Sequence, residues 1–87
     1  MDKEPVPDFR HLVVNRGDPP SQTVLPTPRR ARVTTEVYGG HVVTLDLDVV
    51  AVARNMVCVS QDRPGLQDRP GLSPWLAWIP TQQTRQV

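Results

Sequence analysis

Asp46 and Asp48 stand two positions apart in a run rich in Val and Leu, so on an extended strand both carboxylates face the same way. Such a pair can share a hard cation or divide acid and base roles. Hydrolysis would also need a nucleophile or a metal partner, and the chain has no HExxH, GxSxG, P-loop or EF-hand pattern. A sheet with one wet face accounts for both aspartates as solvated positions. His11 and His41 are isolated, and Cys58 is the single cysteine, which excludes an internal disulfide and a multi-cysteine zinc site. A Cys58–His41 nucleophile pair is conceivable across neighbouring strands, but Met-Val-Cys-Val is the setting of a buried, inert thiol. The expectation is a protein without catalytic residues, metal or cofactor.

Two other groups of side chains can make contacts. Arg29, Arg30 and Arg32, joined by Arg85 in the tail, could hold phosphates while a tryptophan stacks on bases. The net charge of +1 gives no global pull toward nucleic acid or anionic membrane, so such a site would be local. Trp75 and Trp78 are the only tryptophans. If Trp75 points inward with Ile79, Trp78 points outward with Leu76 and becomes an anchor for another protein, with Leu12 and Val14 as further apolar contacts. The competing reading buries both rings, one in the core and one under the N-terminal arm. Arg16-Gly17-Asp18 spells an adhesive tripeptide, but the following Pro19-Pro20 marks a turn.

The elements that must position these residues follow from alternation and punctuation. Val33, Thr35 and Val37 alternate with Thr34, Glu36 and Tyr38, as on a half-buried strand over Ala31 to Tyr38. Gly39-Gly40 makes a turn. Val43, Leu45 and Leu47 then face inward, opposite Thr44, Asp46 and Asp48. Val49, Val50 and Val52 break the period, which predicts a bulge or a segment buried on both faces and in need of extra cover. Arg54-Asn55 suits a two-residue hairpin into a returning strand over Met56 to Ser60. Gln61 to Leu66 is repeated exactly once as Gln67 to Leu72, and Asp-Arg-Pro-Gly reads as an exposed, duplicated turn. Trp75 to Ile79 is a last aromatic strand stopped by Pro80, and Thr81 to Thr84 suits one 3₁₀ turn.

At 87 residues the chain allows one domain, which buries only about 60% of its unfolded surface and leaves little room for a large cleft. Six of the ten prolines precede Arg29. Residues 1–28 therefore read as a Pro-rich, extended arm, loose over 1–10, with the island Leu12 to Val14 adding an edge strand or packing onto the folded domain, or else docking elsewhere as a short motif. Residues 29–87 read as the β domain. The N-terminus lacks the basic start and apolar core of a signal peptide and no run is long enough to span a membrane, so a cytoplasmic protein is expected.

The order of hairpin, bent strand, tight hairpin, loop and aromatic strand, ending in Trp78-Ile79-Pro80-Thr81 and a last strand, resembles a small SH3-like β-barrel over roughly residues 31–87. The resemblance implies an all-β fold of four to five strands, either such a barrel or a strongly bent antiparallel sheet. The acidic and aromatic ligand loop of SH3 domains has no counterpart between Ala31 and His41. The expectations are a non-enzymatic binding or adaptor module contacting another protein, or a second copy as a homodimer, through Leu12, Val14, Leu76 and Trp78. The alternative is a nucleic-acid-binding regulator using Arg29, Arg30, Arg32 and Arg85.

Overall fold

The computed structural model describes residues 9–61 and 74–86. A 3₁₀ turn at Phe9–His11 precedes β1 (Thr23–Glu36), β2 (Val42–Ala53), β3 (Met56–Gln61) and β4 (Trp75–Pro80). A second 3₁₀ turn at Thr81–Gln83 leads into β5 (Thr84–Gln86). The five strands form one antiparallel sheet in the order β4-β3-β2-β1-β5. The two end strands of that order do not pair with each other, so the sheet is not closed into a barrel. The described residues contain no α-helix, and none of their helices is long and apolar enough to cross a membrane.

The β1–β2 register explains why these residues are strands. Ala31, Val33 and Thr35 lie opposite Leu47, Leu45 and Val43 on one face, while Arg30, Arg32 and Thr34 lie opposite Asp48, Asp46 and Thr44 on the other. One face thus pairs apolar with apolar, apart from Thr35, and the other pairs opposite charges, both favourable cross-strand arrangements. Thr35 is nevertheless buried, and its hydroxyl meets Gln83 Oε1 at 2.7 Å in the turn before β5.

Gly39 and Gly40 make the turn between these strands, with the Gly40 N–H donating to the Val37 carbonyl (2.9 Å) and Gly40 at φ +90°. Nothing crowds a Cβ there, so a side chain would meet only the backbone penalty. Gly40→Ala should lower the unfolding free energy by about 1–2 kcal/mol, the left-handed cost for an L-residue, as read from urea titrations. Arg54-Asn55 forms the predicted second hairpin, with Asn55 at φ 65°.

The break at Val49 is a bulge. Val49 pairs with Val59, and the next pair is Ala51 with Cys58, so Val50 is an extra residue. Residues two apart on a strand normally share a face, but here the inserted residue sends Val49 and Ala51 to opposite faces. Val49 joins the main core of Val13, Ala31, Val33, Leu47, Val57, Val59, Ala77 and Ile79, while Ala51 joins Cys58 and Trp78 in a second cluster. The segment is therefore covered on both sides, as its two-sided apolarity requires.

Several boundaries differ from the sequence expectation, with β1 stopping at Glu36 and β4 taking in Pro80. β1 begins at Thr23, inside the stretch read as an arm, and pairs Thr23 with Val52 and Val24 with Ala51. Its prolines are tolerated because residues 25–28 pass Val50 without a register partner before pairing resumes at Arg29, so no ladder N–H is required of Pro26 or Pro28. β3 also runs one residue further, to Gln61. Of the loose segment expected over 1–10, residues 1–8 lie outside the described residues, while Phe9 and Arg10 belong to the first 3₁₀ turn; the remainder of the duplicated turn also lies outside them.

Candidate interaction surface

Leu12 to Arg16 form a strap that bonds to both sides of a gap in the sheet's cover. On the β1 side Val13 bridges Val37, the Val14 N–H donates to Glu36 O (3.0 Å), and the Tyr38 N–H donates to Leu12 O (3.0 Å). On the β4 side the Arg16 N–H donates to Trp78 O (2.7 Å), and the Trp78 N–H donates to Asn15 Oδ1 (2.8 Å). The indole N–H of Trp75 donates to Val13 O (2.8 Å). Gln61 supplies what a missing strand would: its Oε1 accepts from the Val13 N–H (2.9 Å) and its Nε2 donates to His11 O (2.9 Å). With these bonds made, Val13 can be fully buried without orphaned backbone groups.

The groove that receives the strap is thus walled by Glu36 to Gly39 on one side and by Gln61 and Trp75 to Trp78 on the other. Tyr38 and Trp75 meet edge to face across it, with ring centroids 6.1 Å apart. On the β1 side the segment is held by a single antiparallel bridge, Val13 to Val37, and Leu12 and Val13 are both buried. Of the four apolar contact residues read from the sequence, Leu12 is buried, Val14 half-buried and Leu76 exposed. Trp78 is only 8% exposed, as in the competing reading that buries its ring. It does lie on the face opposite Ile79, but the strap bonds its main chain and the second cluster packs around its ring. The Arg16-Gly17-Asp18 tripeptide spans the end of this strap and the start of the segment that follows it. The Arg16 guanidinium pairs with Glu36, and Gly17 rests against the Met56 thioether.

The acidic pair is exposed and already partnered. Arg32 grips Asp46 through Nε (2.9 Å) and a second nitrogen (3.4 Å), and Arg30 meets Asp48 at 3.3 Å. A hollow of about 310 Å³ opens beside them, bordered by Ser60, Gln61, Leu45 and Leu47, and no histidine lines it. Among the described residues no cluster of three or more His, Cys, Asp or Glu side chains could hold a metal ion. The hydrogen bond from Arg32 holds the Asp46 carboxyl below the usual carboxylate range and pushes the Arg32 guanidinium up. A lowered carboxylate pKa stabilises the fold above the unfolded-state value near 3.9 and is lost as pH falls through the folded one. Acid titration of Asp46→Asn should accordingly show less loss of stability below pH 4 than the parent; equal acid sensitivity would remove the role assigned to this pair.

The arginines divide between the faces. Arg32 lies in register with Arg85 of β5 as well as with Asp46, so Arg30, Arg32 and Arg85 share the face of the two aspartates. Arg29 is exposed on the other side of its strand, opposite Val49. The structure therefore brings together only part of the sequence cluster, and two of its members already have carboxylate partners. Cys58 is buried, which pushes its thiol up and disfavours the reactive thiolate. It sits opposite Ala51, whereas His41 lies beyond the other end of β2, roughly 30 Å away along the strand at about 3.3 Å per residue. The conceivable Cys58–His41 pair is not formed.

Gln61 and Asn15 are the contact residues that the sequence reading missed, while Val13 lies within the apolar island read over Leu12 to Val14. Gln61 continues the inward parity of Val57 and Val59, a signal hidden by its place at the head of the duplicated turn. The chain matches no protein-family model, and no curated protein or solved structure matches it significantly.

Proposed function

We propose that this chain is a non-enzymatic protein-binding module that recognises an extended segment in the groove between the end of β1 and β4. The observation that carries the reading is the strap itself: residues 12–16 lie in the groove with strand-type main-chain bonds, a buried Val13 and an Asn15 side chain capping Trp78 N–H. The surface complements an apolar segment ending in Asn, and in the closed protein its own arm competes for it. The strand order, with a 3₁₀ turn leading into β5 against β1, supports an SH3-like barrel in which the strap occupies the seam. Less supports a nucleic-acid surface, since Arg30 and Arg32 would have to leave Asp48 and Asp46 to hold phosphates.

The test uses a labelled peptide of residues 9–18 titrated by fluorescence anisotropy. A full-length chain carrying Val13→Asp, whose own arm cannot dock, should bind the peptide at least about tenfold more tightly than the parent. The parent's tethered arm competes at an effective concentration in the millimolar range. Asn15→Ala with Arg16→Ala removes two of the strap's anchors without burying a charge and should give the same direction. A folded variant that does not bind the peptide, or binds a scrambled one equally, sinks the reading.

A further inference from the structure

The hydrogen bonds that dock the strap on Gln61, Trp75 and Trp78 join residues 48 to 63 positions apart, so none depends on the local course of the linker at residues 17–22. The linker is mostly exposed and contains Asp18-Pro19-Pro20. A residue before proline is pushed into extended backbone, which stiffens both Asp18 and Pro19. The reversal that brings the strap back over its own sheet is concentrated in bends at Pro20 and Ser21. The bonds within that linker are local: Gln22 Nε2 donates to Pro19 O (3.0 Å) and to Asp18 Oδ1 (3.3 Å). Straightening the bend removes those two bonds and the Gly17–Met56 contact and leaves the groove contacts available to an identical segment from elsewhere.

We infer that the strap of one chain docks in the groove of a second copy and is answered reciprocally, giving an arm-exchanged dimer. The occupant is a second copy because the groove already fits this sequence atom for atom, through Gln61 on Val13 and His11, Trp75 on Val13 and Trp78 on Asn15. Exchange of an identical element between protomers is a low-cost route to a two-fold assembly, and a hinge as short as the six residues 17–22 invites it. The inference rests on the groove being a strand acceptor, but it can fail while the peptide titration above succeeds.

Val13 and Val37 form a bridge of the close, non-hydrogen-bonded kind, whose Cα separation of about 4.5 Å is within disulfide range. Val13→Cys with Val37→Cys, in a Cys58→Ser background, would be refolded at high concentration under oxidant and run on a non-reducing denaturing gel. Exchange predicts a covalent dimer at twice the 9.7 kDa chain mass. An internally bridged monomer, whether or not light scattering finds a dimer, would overturn it, because any association would then use another surface. Deleting Ser21 and Gln22 leaves the core untouched and makes docking in the same chain too short; this variant should double in mass by light scattering, and a folded monomer would also overturn the inference.

Discussion

Ile79→Ala is expected to lower the unfolding free energy by about 3–4 kcal/mol, near the middle of the range for an aliphatic residue truncated in a tight core. Ile79 is the largest of the fully buried side chains and sits in β4, where it pairs with Val57 of β3. It has no way out: β4 is hydrogen-bonded to β3 along its length and held by the strap on Trp78, so the cavity cannot be closed by moving one segment. At roughly 4–8 °C per kcal/mol for a domain of this size, the melting temperature should fall by about 12–30 °C. The slope of unfolding free energy against urea should stay unchanged, since the native surface is the same. A loss below about 1 kcal/mol would mean that this face of β4 is not packed as described.

Val13→Asp should be comparably severe but different in kind. Val13 is fully buried, and leaving an unpaired carboxylate there costs several kcal/mol. Unlike Ile79, the residue belongs to a segment that can leave, so the loss is limited to the free energy of docking the strap. Docking a five-residue segment with two buried apolar side chains, against the backbone entropy of ordering it, is expected to be worth a few kcal/mol, about 2–4, and Val13→Asp should cost about that much and no more. It should also reduce the urea slope, because the altered native state leaves the groove exposed. A full cost with the slope preserved would show that the strap cannot detach from the folded sheet.

The strands were legible because their physics is local. Alternation of Val33, Thr35 and Val37 with polar neighbours, the Gly39-Gly40 turn, the Arg54-Asn55 hairpin and the two-sided run at Val49 each specify backbone geometry within a few residues, and all appear in the structure. The 3₁₀ turn between β4 and β5 was readable for the same reason, from Pro80 and the short polar run after it. The start of β1 was not, because Pro26 and Pro28 argue against a strand unless a register slip removes the need for their N–H groups, and that slip depends on the β2 bulge.

The site was harder to see because it is made by long-range closure. Alternation correctly sends Trp78 to the face opposite Ile79, but whether that face is wet depends on where Asn15 and Arg16 lie, 62 or more residues away in sequence for the bonds involved. Gln61 shows the same limit in reverse: a polar residue at a loop boundary becomes a buried pair of hydrogen bonds only once the strap lies across it. The acidic and basic rows were each visible, while their mutual pairing follows from a register that fixes Asp46 opposite Arg32 and Asp48 opposite Arg30.

Native-state amide hydrogen exchange at Val13, Val14 and Arg16 tests most directly whether the strap is a built-in part of the fold. Their N–H groups donate to Gln61 Oε1, Glu36 O and Trp78 O. Docking worth about 2–4 kcal/mol predicts exchange slowed roughly 30- to 700-fold relative to an unstructured chain, at tenfold per 1.4 kcal/mol. The same amides in Val13→Asp should lose that protection while Val59 in β3 keeps its own. Exchange of all three at the unstructured rate in the parent chain would contradict the account.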